Sequence, residues 1–257
     1  MNDFYFKKSL GQNFLHNHRI SNKIVNLAKI SPESSVVEIG CGNGALTEQI
    51  LDQNPANLTV IELDERCILM TKDRLAGHAN FPRLHFINQD ALNLKIADLG
   101  LNKPIIISNL PYSVGSRILV NLLSEANCVE RMILMFQKEV AMRLVARKNS
   151  KEYGILSVIS QVIGDVKINF DVSPRDFTPA PKVISSVVEI LPKTPINKED
   201  FDILMSILRQ LFGQRRKMIR SYCGNFPLEI LGKYGEMRAE NLSCDDILHI
   251  LAKVKTQ

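Results

Sequence analysis

Long apolar runs are missing from this sequence of 257 residues. No stretch approaches the ~18 consecutive apolar residues that a membrane-spanning helix needs. The N-terminal segment, MNDFYFKKSLGQNFL, has neither the apolar stretch of a signal peptide nor the arginine-rich, acid-poor composition of a transit peptide. These absences disfavour membrane and secreted proteins, so we expect a cytoplasmic protein with no membrane partner.

Paired cysteines are also missing. The five cysteines, at positions 41, 67, 128, 223 and 244, are odd in number, widely spaced and never arranged as C-x-x-C. This pattern is unlike a disulfide framework or a zinc site. We therefore predict no metal and interpret the cysteines as small, buried apolar residues.

Acidic residues are scarce in two segments of this mildly basic chain, whose formal net charge is +5. Residues 209–220, RQLFGQRRKMIR, contain five basic residues and no acid, and residues 138–151 contain five basic residues and only Glu139 as an acid. One such run is usually a solvated helix face, whereas two in one chain favour a nucleic-acid surface. The predicted contact residues are Arg143, Arg147, Lys148, Arg215, Arg216, Lys217 and Arg220.

Apolar patterning predicts strands that alternate with helices. The first of these elements is a helix, which the spacing of apolar residues predicts at residues 22–30. Alternating strands and helices indicate an α/β fold, in which a mostly parallel sheet is covered by helices on both faces. Short β-branched and apolar runs predict the strands of this sheet at residues 34–40, 57–64, 83–90, 103–109 and 131–137.

The C-terminal third has a different pattern. Two alternating runs, residues 165–173 and 183–191, predict an antiparallel hairpin that adds an antiparallel edge to the sheet. Residues 192–200, PKTPINKED, are typical of a linker, and the chain beyond them is helical in pattern. We therefore expect a domain of residues 1–192 and a small, all-helical domain of residues 193–257.

Polar residues and glycines follow three predicted strands. Gly40, Gly42 and Gly44 lie where the first strand turns into its helix, and glycine there lets a ligand approach the backbone. Glu62, at the end of the second strand, is placed to accept hydrogen bonds from ribose hydroxyls. Asp90, at the end of the third, is placed to accept from the amine of an adenine. NAD, FAD and S-adenosylmethionine proteins all use this glycine turn, so the pattern leaves the cofactor open.

The fourth predicted strand ends in Asn-Leu-Pro-Tyr. Pro111 cannot donate to a ladder, so the strand stops there and a rigid loop follows. Asn109 offers an amide oxygen, the Leu110 carbonyl can point the same way, and Tyr112 offers a stacking face. A planar base with an exocyclic amine matches these groups, and we predict that Asn109, Leu110, Pro111 and Tyr112 form the catalytic site.

The order of the motifs resembles one family. KKSLGQNFL, VVEIGCGNGALT, VIELDE, QDAL, SNLPYSVGSRIL, QKEVAMRL, YGILSVISQ, FTPAPKVISSVV and LRQLFGQRRKMIR together resemble the bacterial 16S rRNA adenine N6,N6-dimethyltransferases (KsgA/RsmA), from about residue 7 to 225. The resemblance implies a Rossmann-like class I methyltransferase sheet. It also implies S-adenosylmethionine as methyl donor, S-adenosylhomocysteine as product and the small ribosomal subunit as partner, with the enzyme acting as a monomer.

The resemblance also implies roles for further residues. It places Asn13 and Leu15 over the cofactor, Gly40 beside its methionine part and Asn109 at the junction of cofactor and target, and Gly42 is a further predicted cofactor residue. It implies that Phe177 stacks on the target base opposite Tyr112. The sequence departs from the family at Asn17, where an acid is common, and we make no prediction for that position.

Three other functions stay open from the sequence. The first is a resistance-type methyltransferase that acts on large-subunit RNA. The second is a noncatalytic RNA-binding or ribosome-assembly factor on a methyltransferase scaffold, although the cofactor and amine residues are all present. The third is an NAD-dependent dehydrogenase, which would leave the Asn-Leu-Pro-Tyr loop unexplained.

Overall fold

The structure, a computed structural model, describes residues 12–193, 195–224 and 226–255. The beginning of the KKSLGQNFL motif, residues 7–11, therefore lies outside the described residues. Within the described part of the chain, no helix is both long enough and apolar enough to cross a membrane. That part also contains no group of three or more His, Cys, Asp and Glu side chains arranged to hold a metal ion.

Strands and helices alternate through the first two thirds of the chain. The strands are β1 (Phe14–Leu15), β2 (Ser35–Ile39), β3 (Asn57–Glu62), β4 (Leu84–Asn88), β5 (Ile105–Asn109), β6 (Arg131–Gln137), β7 (Gly164–Val172), β8 (Phe177–Thr178) and β9 (Ser185–Pro192). The helices are α1 (His18–Ala28), α2 (Ala45–Asp52), α3 (Glu65–Leu75), α4 (Gly115–Ser124), α5 (Lys138–Leu144), α6 (Ile155–Ile163), α7 (Lys198–Gly213), α8 (Leu228–Tyr234) and α9 (Cys244–Lys255).

Seven of the described strands form one sheet in the order β4-β3-β2-β5-β6-β9-β7. The five strands from β4 to β6 are parallel, and β9 pairs antiparallel with both β6 and β7. The predicted parallel sheet and its antiparallel edge are both confirmed. The strand order reverses next to β2 and β5, so the carboxyl ends of these neighbouring strands border the crevice in which open α/β sheets bind ligands.

The sheet is buried on both faces because its side chains alternate between two apolar layers. Val37 and Ile106 point into one layer, which also contains α4, α6 and the C-terminal helices. Val36 and Ile107 point into the other layer, together with α1 and α2. Burial on both faces explains why these strands are continuous apolar runs rather than alternating ones.

The element boundaries differ from the sequence prediction at two functional places. Helix α1 begins at His18, not residue 22, because the Asn17 side chain accepts from Arg19 N and caps the helix. Strand β4 ends at Asn88, so Asp90 lies two residues beyond the strand, where its side chain accepts from Leu92 N. In both cases a polar side chain that bonds to the backbone sets the boundary.

The C-terminal helices share a core with the α/β part. Helix α7 packs against α6, and α9 packs against α6 and α7. Ile163 of α6, Leu208 of α7 and Ile250 of α9 belong to one buried apolar cluster. The helical character of this region is confirmed, whereas the domain division at residue 192 stays a prediction.

Candidate active site at the carboxyl ends of the parallel strands

A cleft with about 970 Å³ of empty space lies at the carboxyl ends of β2, β3 and β5. It is the ligand position expected for an open α/β sheet. The structure brings together in this cleft most of the site residues predicted from the sequence. These are Asn13, Gly40, Gly42, Glu62, Asp90, Asn109, Leu110, Pro111 and Tyr112.

The glycine turn leaves one side of the cleft open. Gly40 has a φ of 79°, and a Cβ at this position would meet no protein atom within 4 Å. At Gly42, with φ of 54°, a Cβ would come within 3.0 Å of the Phe14 ring. Gly40 therefore leaves space for a ligand, and Gly42 allows the N-terminal segment to pack against the turn.

The Glu62 carboxylate faces this turn. Its Oε1 accepts from Asp64 N at 2.8 Å, and its Oε2 lies 3.4 Å from Gly42 N. Burial raises the pKa of Glu62, although the surrounding backbone N–H groups act in the opposite direction. Each carboxylate oxygen can accept a further hydrogen bond, so the predicted contact with two ribose hydroxyls fits this position.

A second carboxyl group, that of Glu38, is completely buried beneath the turn. Neither of its oxygens forms a hydrogen bond of ordinary geometry with a described residue. Burial raises the pKa of Glu38 to about 8; the nearby Thr47 hydroxyl opposes this shift and the Glu62 carboxylate adds to it. The glycine turn thus lies above a carboxyl group that is protonated at neutral pH.

Asp90 also lines the cleft, in the segment after β4. Its Oδ1 accepts from Leu92 N at 2.8 Å, which fixes the carboxylate and leaves Oδ2 for a ligand. An acceptor in this position matches the exocyclic amine of an adenine, as the sequence predicts.

A hydrogen bond fixes the orientation of the Asn109 side-chain amide. Its Nδ2 donates to the Asn13 carbonyl at 3.0 Å. Since a carbonyl only accepts, the nitrogen must lie on this side, and Oδ1 is the group left for a second reactant. The predicted acceptor is therefore present, and its orientation depends on the N-terminal segment.

The loop after Asn109 is rigid for three reasons. Pro111 has a fixed φ, and its carbonyl closes the turn by accepting from Val114 N and Gly115 N. The Leu110 side chain is buried, and a Cβ at Gly115 would lie 3.3 Å from it. Because the Pro111 carbonyl closes the turn, the Leu110 carbonyl is not used for that purpose.

Tyr112 is fixed at its hydroxyl end. The Tyr112 hydroxyl lies 2.6 Å from the Ser185 hydroxyl, at the start of β9. Burial raises the pKa of Tyr112, and the hydrogen bond with Ser185 opposes the shift. The ring therefore stays neutral and in place beside Asn109, as a stacking face requires.

Two predicted residues do not line the cleft. Leu15 and Phe177 are partners in the antiparallel pair of β1 and β8, and both are 3% exposed. Phe177 belongs to the apolar cluster beneath α1 and α2. In this arrangement the Phe177 ring is packed in the core and is not open to a base, so its stacking role stays a prediction that requires the β1–β8 pair to move.

The N-terminal segment is held by side-chain hydrogen bonds at both ends. Gln12 Nε2 donates to Asp64 Oδ2 at 3.0 Å, next to the N-terminus of α3. At its other end, Asn17 Nδ2 donates to Asp176 Oδ1 at 2.7 Å. The residue at which the sequence departs from the family therefore has a structural contact, which connects the segment to the loop before β8.

The two basic segments lie side by side around a second groove, which has about 1420 Å³ of empty space. Arg143, Lys151 and Arg215 line it, together with Tyr153 and Phe212. Only the first half of each basic segment is helical, because α5 ends at Leu144 and α7 ends at Gly213. Neither basic segment is therefore one continuous helix.

The predicted basic residues divide into two groups. Arg147, Lys148, Arg216 and Lys217 are exposed, and Arg143 and Arg220 are exposed beside Glu139 and Glu236. Arg215 is instead half-buried, and its guanidinium donates to Glu240 and to the carbonyls of Ser150 and Lys151. These bonds argue against a phosphate contact by Arg215 and assign it to holding the 147–151 loop.

Sequence reasoning missed two residues that support the site, Gln12 and Ser185. Gln12 belongs to the GQNFL motif, so the resemblance in that motif could have indicated it. Ser185 is the first residue of β9, and its contact with Tyr112 joins positions 73 apart in the chain. No local pattern indicates such a contact.

The comparisons with known proteins identify the family. A model of the family "Ribosomal RNA adenine dimethylase" matches residues 3–255. The chain belongs to this family. The S-adenosylmethionine-dependent adenine methyltransferase predicted from the sequence is thereby confirmed, and so is the Rossmann-like methyltransferase fold.

Individual relatives agree with this assignment. The "Ribosomal RNA small subunit methyltransferase A" of Wolbachia pipientis wMel is 40% identical over 247 residues, which cover 93% of this chain and 85% of the relative. The protein of the same name from Rhodospirillum rubrum is 41% identical over 216 residues, which cover 84% of this chain and 74% of the relative.

Solved structures agree as well. A dimethyladenosine transferase from Plasmodium falciparum superposes with a TM-score of 0.81 at 28% identity, covering 95% of this chain and 98% of that one. The 23S rRNA methyltransferase ErmE superposes with a TM-score of 0.68 at 22% identity, covering 95% of this chain and 100% of that one. The second match shows that the fold is shared.

Proposed function

We propose that this enzyme transfers methyl groups from S-adenosylmethionine to the N6 atoms of adenines in small-subunit ribosomal RNA, two per adenine. The proposed targets are two adjacent adenines near the 3′ end of 16S rRNA in a late assembly particle, which gives the enzyme a role in ribosome biogenesis. One observation carries the proposal: Asn109 lines the cleft beside Leu110 and Pro111, and its Nδ2 is bonded to Asn13, which leaves Oδ1 as an acceptor. This arrangement provides acceptors for an amine on a planar ring.

The cleft residues fit the cofactor by their chemistry. The open space beside Gly40 accommodates its methionine part, and the oxygens of Glu62 and Asp90 accept from ribose hydroxyls and from the adenine amine. S-adenosylmethionine supplies an electrophilic methyl group when bound. The polypeptide positions the acceptor nitrogen.

Positioning matters because an aromatic amine is a poor nucleophile, with its lone pair delocalised into the ring. If Asn109 Oδ1 and the Leu110 carbonyl accept its two N–H groups, the nitrogen becomes more pyramidal and its lone pair points toward the methyl donor. Alignment of this kind and fixed dipoles are large contributions to catalysis. No general base is needed before attack, because the product nitrogen can lose its proton afterwards.

The same two acceptors permit a second transfer. After the first, one acceptor still holds the remaining N–H while the new methyl group takes the other direction. Tyr112 holds the base throughout by stacking, a contact worth on the order of 1–3 kcal/mol per base.

The exposed basic residues around the second groove provide the RNA surface. Arg147, Lys148, Arg216 and Lys217 would contact phosphates, which orients the RNA without reading its sequence. Recognition then depends on RNA shape, as expected for a ribosomal substrate. Such a substrate fits a cytoplasmic enzyme, and we propose that it acts as a monomer.

The test uses small-subunit particles that lack adenine dimethylation and labelled S-adenosylmethionine. We expect the wild-type enzyme to transfer label and Asn109→Ala to transfer at least about 100-fold less, because an acceptor used in the transition state is lost. Calorimetry with S-adenosylhomocysteine reports whether the cofactor cleft of the variant is intact. Undiminished transfer by a cofactor-competent Asn109→Ala enzyme would refute the proposed amine contact.

A further inference from the structure

Residues 12–17, here called the strap, are fixed at both ends, and the first three of them line the cleft. Gln12 is bonded to Asp64 near the N-terminus of α3, and Asn17 is bonded to Asp176 before β8. The His16 N–H also donates to the Asp176 carbonyl at 3.0 Å. Between these anchors, the strap passes directly beside Asn109.

The strap provides the group that orients the Asn109 amide. A carboxamide can turn its oxygen and nitrogen to opposite sides, and the two orientations differ little unless neighbours distinguish them. The Asn13 carbonyl accepts from Nδ2 at 3.0 Å. The turned amide would place Oδ1 against this carbonyl oxygen, so two acceptors would face each other and a hydrogen bond would be lost.

The turned amide would also be useless toward an adenine amine. It would present two N–H donors to another donor, and no hydrogen bond would form. We propose that the strap is a positioning element for the proposed methyl transfer: the Asn13 carbonyl selects the Asn109 orientation in which Oδ1 accepts from the target amine, and Gln12 holds that carbonyl in place. This inference rests on the proposed function of Asn109.

The strap also connects the two halves of the site. Gln12 and Asn13 line the same cleft as Gly40 and Glu62, and the Asn13 carbonyl is bonded to Asn109. Because Gln12, Asn13 and Phe14 line the cleft, a cofactor bound there would contact the strap and stabilise it. Filling the cofactor cleft would therefore strengthen the Asn13–Asn109 bond that orients the amide, which favours binding of cofactor before RNA.

The kinetic test is a double-mutant cycle of Gln12→Ala and Asn109→Asp at saturating S-adenosylmethionine. Asn109→Asp keeps an acceptor oxygen but cannot donate to Asn13. We expect Gln12→Ala to lower kcat about tenfold in the wild-type background, with little change in the KM for RNA, and by less than about twofold in the Asn109→Asp background. Gln49→Ala, a half-buried glutamine of α2 that is bonded to Asn22 and Asp52 and does not line the cleft, is the matched control and should leave kcat unchanged.

A spectroscopic test needs neither RNA nor turnover, so its failure is distinguishable from failure of the proposed function. In ¹⁵N-labelled protein, the Asn109 side-chain amide is the signal that is absent from Asn109→Asp. We expect slow hydrogen exchange of this amide with S-adenosylhomocysteine bound, and exchange at least about fivefold faster in Gln12→Ala but not in Gln49→Ala. Equal exchange in all three proteins, or an equal loss of kcat from Gln12→Ala in both backgrounds, would overturn the proposal.

Discussion

The hydroxyl groups of Tyr112 and Ser185 lie 2.6 Å apart, which ties the loop after β5 to the first residue of β9. This contact fixes one end of the ring that is proposed to stack on the target base. It also joins the parallel part of the sheet to its antiparallel edge at the site itself. Ring and hydroxyl therefore contribute differently to the reaction, and substitutions can separate them.

The first prediction concerns this contact. Tyr112→Phe keeps the stacking face and loses the hydrogen bond, so kcat/KM should fall only a few-fold, equivalent to about 1 kcal/mol. Ser185→Ala should have a similar effect because it removes the other partner. Tyr112→Ala should reduce kcat/KM about 100-fold, since the stacking face is lost. Equal losses in all three variants, measured by methyl transfer to small subunits, would argue against a stacking role.

The second prediction tests the adenine contact of Asp90. Asp90→Asn can still accept from Leu92 N through its amide oxygen, but it turns the free oxygen into an N–H donor that faces the donor amine of the adenine. The Kd for S-adenosylhomocysteine should rise about 10- to 100-fold, as measured by calorimetry, with thermal stability retained. Asp52→Asn, on the exposed end of α2, is the control and should bind normally. An unchanged Kd in Asp90→Asn would remove Asp90 from the cofactor site.

The third prediction separates RNA contacts from internal ones. Arg216→Gln combined with Lys217→Gln should weaken small-subunit binding. It should also make the negative slope of log K against log salt shallower by about 1.5, since each lost phosphate contact removes ~0.7–0.9 from its magnitude. Lys29→Gln combined with Lys103→Gln removes the same charge at the amino ends of the strands and should leave the slope unchanged. An equal change in both double variants would mean that only net charge matters.

Arg215→Ala should behave differently from these variants. It removes hydrogen bonds to Glu240 and to the 147–151 loop, so the free energy of unfolding should fall by about 1–3 kcal/mol. Urea denaturation measures this loss. Unchanged stability together with a shallower dependence of log K on log salt would restore Arg215 to the RNA surface.

The fifth prediction concerns the buried Glu38. Its pKa of about 8 in the folded protein exceeds its usual 4.5, so between these pH values the folded state binds a proton that the unfolded state has released. The contribution of Glu38 to the free energy of unfolding is therefore fully present below pH 4.5 and is lost as the pH rises toward about 8. Glu38→Gln, which cannot ionise, should gain stability relative to wild type by on the order of a few kcal/mol between about pH 5 and pH 8.

Urea titrations at several pH values measure this difference. Glu33→Gln, an exposed substitution near the start of β2, is the matched control and should follow the wild-type profile. If the wild-type and Glu38→Gln proteins show parallel stability profiles, Glu38 does not titrate in this range.

Much of the site could be predicted from the sequence because it depends on strand ends. Gly40, Glu62 and Asn109 each follow or end a short apolar strand, and parallel strands bring such residues to one edge of the sheet. The rigid loop at Pro111 follows from the chemistry of proline alone. Such predictions use only the local pattern and the shared direction of the strands.

The remainder depends on contacts between distant parts of the chain. Strands β1 and β8 have two residues each, too few for a recognisable pattern, and their pairing buries Phe177. The bonds of Arg215 to the 147–151 loop also have no local signature, since an arginine in a basic run looks the same whether it faces solvent or a carbonyl. Sequence patterns therefore located the acceptors of the site but not the residues that hold them.

The most direct measurement of the central claim identifies the acceptor. Small and large ribosomal subunits lacking adenine dimethylation are incubated separately with the enzyme and labelled S-adenosylmethionine, and the product nucleosides are identified by mass spectrometry. The account predicts N6,N6-dimethyladenosine in small subunits and no label in large ones. Label in large subunits only, or on an atom other than adenine N6, would contradict it.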